Sequence, residues 1–330
     1  MKDAKMPLVS IVIAYYQHEK YIGETIASLL AQTLGDTEII VVDDKSSDGG
    51  MPIVEAFRDR RIRTIYRSSN GGPSAAINDG VRAASGTYIA LTGSDDVSEP
   101  WRLEHQVEFL TQRKASIAFS VPKLIDGHGR ELHDQLFPIF LHQRQRDTAH
   151  AALRSLFVQG NTYCAPTALI KADLFQDIGL FDESLIQLQD FDLWMRAASH
   201  GHTIALGQRR VTRYRLHDEN LSHQRNDERM HGELMRCYIK FLRDCPPEAL
   251  AKAFPEMARP GSQEVDRAMI AIRHGSVMVQ TIGKAMLLRE IWDYPQPGQS
   301  LTMDDAFVAA AISAGLPPGV QLTSAFGERL

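Results

Sequence analysis

Acidic and aromatic side chains able to do chemistry gather at a few points of this 330-residue chain. Asp95 and Asp96, following Gly93 and Ser94, set two carboxylates side by side, a hard oxygen donor set of the kind that suits Mg²⁺ or Mn²⁺. The same run could instead cap a helix beginning beyond Pro100. Asp44, at the end of an apolar run, could accept a ring N–H, and Tyr16 offers an aromatic face. The alternative is that Asp43, Asp44 and Ser46 cap a turn. Asp190, beside Gln189 at the head of an amphipathic run, suits a general base, or a helix N-terminal acid favoured by the macrodipole. Asp192 reads as a partner of Arg196 four residues on. His217 is a competent ligand.

These residues need a scaffold, and the apolar pattern supplies one. From Val9 to Leu91 short β-branched runs alternate with helical stretches, the signature of βαβ units in a parallel sheet. Strands are expected at Val9–Ala14, Glu38–Asp43, Ile62–Tyr66 and Tyr88–Leu91, with helices at Ile22–Ala31 and Pro73–Ala84. Polar residues and glycines follow the strands, at Tyr16–Gln17, Asp44–Gly50 and Gly93–Asp96. In open α/β sheets ligands bind outside the carboxyl ends of the strands, so these loops should line one crevice. Beyond them the pattern predicts a helix over Trp101–Gln112, a hairpin at Asp126–Gly129, a helix over Asp190–His200 closed by Gly201, and strands at His202–Leu206 and Val211–Leu216. On that last strand Arg213 and Arg215 share a face with His217, and Tyr214 takes the other. From about Asn226 the pattern turns to long helices, broken by prolines at Cys245–Pro247, Pro255–Pro260 and Tyr294–Pro297.

Composition narrows the function. A 44% hydrophobic, 23% charged chain with net charge −5 is an ordinary globular protein with no basic stripe, so no nucleic-acid partner is expected. Cys164, Cys237 and Cys245 show no metal-ligand spacing and suggest a reducing compartment. With neither a signal-peptide core nor a membrane-length apolar run, a cytoplasmic location is expected. The apolar stretch Arg267–Trp292 reads first as packing on the catalytic domain, and leaves open peripheral contact with the inner face of a membrane or a homo-oligomer formed through the C-terminal helices.

The segments SIVIAYYQHEKYIGETIASLLAQ, EIIVVDDKSSDGG, NGGPSAAINDGVRAASGTYIALTGSDDVSEPWRLE, GLFDESLIQLQDFDLWMRAASHGHTIAL and RYRLHDENLS stand in the order and near the spacing of family 2 inverting glycosyltransferases, which the chain resembles over residues 7–225. The resemblance implies a GT-A fold, a Rossmann-like α/β domain with a mostly parallel central sheet flanked by helices, over residues 1–225, leaving 226–330 as a helical C-terminal extension. It implies transfer of a sugar from a nucleotide sugar, UDP-linked by preference, to a hydroxyl of a glycan or lipid-linked acceptor, in polysaccharide or cell-surface glycan synthesis. The positions matching Ala14, Tyr16, Asp44, Ser94 and Asp95 would hold the donor, and Asp95, Asp96 and His217 the Mg²⁺ or Mn²⁺. Asp190 would take the acceptor proton, and Gly160, Asn161 and Gln189 would face the acceptor. Arg213 and Arg215 could then lie on the diphosphate side. Three departures stand out: Gly93 and Gln189 replace acids, and Ile77 replaces a common arginine. A nucleotidyltransferase and a non-catalytic nucleotide-sugar binding module are the rival readings.

Overall fold

The computed structural model describes residues 6–134, 144–221, 227–256 and 263–293, and the short strands 301–303 and 322–324. The expected breaks at Asn226 and Tyr294–Pro297, and most of that at Pro255–Pro260, lie outside the described residues. The chain divides into two compact units, Met1–Glu233 and Leu234–Leu330.

The first unit opens with β1 (Val9–Tyr15), α1 (Glu19–Leu30), β2 (Thr37–Asp43), α2 (Gly50–Ala56), β3 (Ile62–Tyr66), α3 (Gly72–Ala83) and β4 (Tyr88–Leu91); α2 was not expected from the sequence, and the others lie within a few residues of the expected bounds. β2 is buried throughout and β1 nearly so, which is why both read as near-continuous apolar runs rather than alternating ones. β1 pairs in parallel with β2 on one side and β4 on the other, and β2 pairs in parallel with β3. The strand order therefore reverses beside β1, the place where open α/β sheets bind ligands among the loops that follow the strands. α3 lies tight on the sheet at Gly80, where a Cβ would stand 2.4 Å from Val12 Cγ1.

Next come β5 (Val97–Ser98), α4 (Arg102–Arg113), β6 (Ile117–Ser120), β7 (Lys123–Asp126), α5 (Ala149–Gln159), β8 (Leu169–Lys171), α6 (Leu174–Ile178), α7 (Gln189–Ser199), β9 (Ile204–Gly207) and β10 (Thr212–Leu216). The seven-stranded sheet runs β3-β2-β1-β4-β8-β6-β9, with β8 antiparallel to both its neighbours. β5, β10 and β7 make a separate three-stranded sheet. β7 ends in the expected hairpin, where the Asp126 carboxylate accepts the amides of His128 and Arg130. The expected Asp192–Arg196 pair is present at 2.8 Å.

α8 (Asp227–Asp244) begins in the first unit and runs into the second, which continues with α9 (Pro247–Ala253), α10 (Gln263–Ile272), α11 (Val277–Asp293) and the paired strands β11 (Leu301–Met303) and β12 (Leu322–Ser324). α10 and α11 cross closely at Gly283, where a Cβ would stand 2.6 Å from the Ala268 carbonyl. Among the described residues no helix is long and apolar enough to cross a membrane.

Candidate active site

The loops after β1 and β4 bring together residues far apart in sequence. Asp95 Oδ2 accepts from Asn220 Nδ2 at 3.0 Å and lies 2.9 Å from His217 Nε2. His18, the residue before α1, sets its Nδ1 2.7 Å from Ser94 Oγ. His18, Asp95 and His217 each offer one ligand atom, and these atoms lie within 4.8 Å of one another. Tyr21 packs its ring 4.7 Å from that of His217 and walls one side. Burial holds the His18 imidazole below its ordinary pKa against the pull of Asp95, and the neutral form is the one that ligates a metal. Two imidazoles and a carboxylate fit a divalent cation, though a less oxygen-rich one than an acid pair would make.

Asp96, expected at the metal, is not part of this group. It is fully buried, its Oδ1 accepts the Arg215 amide at 2.9 Å, and its Oδ2 has no hydrogen-bond partner among the described residues. Burial first, and the Asp95 charge second, raise its pKa well above the carboxylate range. His18 was not singled out from sequence; one polar residue two positions past a tyrosine carries no metal signature until the fold sets it beside Ser94. Gly93 has a steric reason to lack a side chain, since a Cβ there would stand 2.5 Å from Asp96 Oδ2 and 2.7 Å from Asp95 Oδ1.

The two arginines expected on the diphosphate side are committed elsewhere. Arg215 is buried, donating to Glu24 Oε2 at 2.6 Å and to the Asp95 carbonyl at 2.7 Å. Arg213 pairs with Glu99 at 2.7 Å. Alternation along β10 put both on a polar face, but those neighbouring carboxylates claim them.

On the far side of β1, Ala14 is half-buried and Tyr16 is 47% exposed, its ring open to solvent. Asp44 is buried and heavily engaged: Oδ1 accepts from Arg67 Nη1 at 2.5 Å and the Gly71 amide at 2.9 Å, and Oδ2 accepts the Gly72 amide at 2.8 Å. Arg67 also donates to Asp79 at 2.8 Å. Asp44 thus ties the end of β2 to the start of α3, and one lone pair of Oδ2 remains for a ligand. Asp43 caps its own turn by accepting the Ser46 amide.

Gln189 and Asp190 form the first turn of α7. Asp190 Oδ2 accepts from Asn161 Nδ2 at 2.7 Å, and Oδ1 accepts the Phe191 amide at 2.7 Å. The Tyr163 amide donates to Asn161 Oδ1, which turns the Asn161 amino group toward Asp190. Gly160 ends α5 at φ +79°, a conformation that spares a side chain there. Burial pushes the Asp190 carboxyl up to about 6, against the hydrogen bonds that favour its charge. Gln189 Oε1 is buried without a hydrogen-bond partner among the described residues. The buried Cys164 thiol is raised first by burial and further by the charges of Asp96 and Asp190.

The model of the family described as glycosyl transferase family 2 matches residues 10–179, just over half of the chain. The chain belongs to this family. Its fold is GT-A. An uncharacterised glycosyltransferase of Rickettsia prowazekii is 37% identical over 196 residues, 58% of each chain. The chain spans no more than 58% of the length of the Rickettsia relatives it matches. Among solved structures, residues 1–349 of S. aureus TarS in complex with UDP-GlcNAc align at TM-score 0.60 and 18% identity, over 93% of this chain and 88% of that one. A mannosyltransferase from Pyrobaculum calidifontis in complex with GDP-Man and Mn²⁺ aligns at TM-score 0.56 and 16% identity, over 95% and 81%. At such identities these two speak for the fold.

Proposed function

We propose that this glycosyltransferase inverts configuration at the anomeric carbon, using a UDP-sugar donor and a hydroxyl of a glycan or lipid-linked acceptor in cell-surface polysaccharide synthesis. The observation that carries the reading is Asp190, a carboxylate raised to about 6 and aimed by Asn161 at the head of α7. A base of that strength is ionised at neutral pH, and it accepts the hydroxyl proton as the oxygen bonds to carbon and becomes acidic. Gln189 Oε1, buried without a partner among the described residues, is suited to take a hydrogen bond from the acceptor. Tyr16 offers its ring to the base, and Ala14, Asp44 and Ser94 line the donor side. His18, Asp95 and His217 would hold a divalent cation, Mn²⁺ in preference to Mg²⁺ because two of the three donors are imidazoles. When bound, the cation neutralises charge on the departing diphosphate. The UDP preference draws on the UDP-GlcNAc complex of the TarS neighbour; the GDP-mannose complex of the other marks the base as the open variable.

The test is a panel of UDP-sugars and GDP-mannose with Mn²⁺, Mg²⁺ or EDTA, read by nucleotide release and by the anomeric configuration of the product. The expected result is Mn²⁺-dependent UDP release, an inverted product, and a turnover loss of roughly a hundredfold in Asp190→Asn with UDP binding kept. A retained configuration, or an Asp190→Asn enzyme as active as wild type, would defeat the assignment.

A further inference from the structure

The turn that leads into α7 is held by a residue from the helical tail. Glu233, on α8, is 5% exposed, and its carboxylate takes three successive backbone amides: Ile186 N–H at 3.0 Å on Oε1, and Gln187 and Leu188 N–H at 2.8 and 2.9 Å on Oε2. Leu188 is the N-cap of α7 and, as a leucine, has no polar side chain; Glu233 instead holds, from another element, the amide of this N-cap residue and those of the two residues before it, which fixes how the chain enters the helix. One residue earlier, the Leu185 carbonyl accepts from Ser74 Oγ of α3 at 2.6 Å. Residues 185–188 are therefore clamped between α3, whose first amides hold Asp44, and a buried charge from α8.

Asp190 follows Leu188 by two residues. Its Oδ2 meets Asn161 at 2.7 Å, and Asn161 is itself fixed by the Tyr163 amide, so the pair tolerates little movement of the α7 terminus. We propose that Glu233 is a positioning residue for glycosyl transfer, acting through the Ile186–Leu188 turn to set the direction of the Asp190 carboxylate. Three charge-assisted bonds to consecutive amides are more than a surface glutamate on an amphipathic helix needs, and they fall on the turn next to the base. The proposal rests on the assignment of Asp190 as base, and the experiment separates the two.

Glu233→Ala, Glu233→Gln, Asp190→Asn and the Glu233→Ala/Asp190→Asn double variant are made in the full chain. Melting temperature, calorimetric UDP affinity with Mn²⁺, and UDP release from the UDP-sugar that wild type turns over fastest are measured for each. Glu233→Ala should keep UDP affinity and lower kcat by roughly tenfold or more, because a shift of the base by about 1 Å is costly even when nothing else changes. Glu233→Gln keeps one carbonyl oxygen for the amides and should fall between wild type and Ala; if the alanine variant does not fold, the glutamine variant carries the test. In the Asp190→Asn background the Glu233 change should cost nothing further. A folded Glu233→Ala, or the glutamine variant in its place, with wild-type kcat refutes positioning while Asp190 stands. The same kcat loss with and without Asp190 also refutes it. Full turnover in Asp190→Asn removes the base assignment and the proposal with it.

Discussion

At the scale of single residues, Gly93 and Asn161 give the sharpest tests. Where the family has an acid, Gly93 leaves room for the Asp95 and Asp96 carboxylates, and a Cβ would sit within 2.7 Å of both. Gly93→Ala should therefore destabilise the fold by about 1–3 kcal/mol and push Asp95 aside, weakening Mn²⁺-dependent UDP binding about tenfold. Calorimetry with and without Mn²⁺ checks it, and unchanged affinity would mean that the loop yields without moving Asp95. Asn161 stabilises the charged form of Asp190, so its removal should raise a pKa already near 6. Since the base works only when ionised, turnover should fall on the acid side of about pH 6 in wild type, and Asn161→Ala should move that limb to higher pH. The loss should be larger near pH 6 than near ~pH 8, and a pH–kcat series would show it. Asp95, His217 and Asp190 could be singled out from sequence because each stands in a run that resembles the family's motifs. His18 and Arg67 were not, because what marks them is a neighbour across the fold, Ser94 for one and Asp44 for the other.

At the scale of elements, the strands up to β4 followed from apolar runs of parallel-sheet type and α1 and α3 from helical spacing, with ends misplaced by a few residues at most, whereas the seven-residue α2 was not read. The insertion of β8 between β4 and β6 could not be read, since Leu169–Lys171 is only three residues long and its antiparallel pairing leaves no mark on composition. The capping and ligand readings of Asp44 are not exclusive. Its carboxylate holds the Gly71 and Gly72 amides at the start of α3 and also the Arg67 guanidinium, while keeping one lone pair. Asp44→Ala would remove the shared acceptor of the Gly71 and Gly72 amides and of one arm of Arg67, and should cost about 1–2 kcal/mol of stability along with nucleotide affinity. Denaturant titration beside UDP calorimetry checks both. A stable variant that has lost only UDP binding would give Asp44 a ligand role without the structural one.

At the scale of the whole molecule, the change to helical pattern near Asn226 was visible in the sequence, but it hid a residue that belongs with the chemistry. Glu233 reads as one more acid on an amphipathic helix, and only its burial against three amides sets it apart. It is the last residue of the first compact unit, whereas the recognisable chemistry, from Tyr16 to His217, ends well before it. A chain cut after Gln224 therefore retains every side chain proposed for the donor and the cation but loses the acceptor of the Ile186, Gln187 and Leu188 amides. The cut protein should bind UDP with Mn²⁺ as the full chain does, because Asp44, Asp95 and His217 do not depend on the lost carboxylate. Its UDP release should fall at least as far as in full-length Glu233→Ala, roughly tenfold, since the same turn is freed. Calorimetry and nucleotide release on the two proteins side by side decide the matter. A soluble, folded cut chain that binds no UDP would mean that the tail helps to build the donor pocket, and one that turns over like wild type would mean that the α7 terminus holds its place unaided.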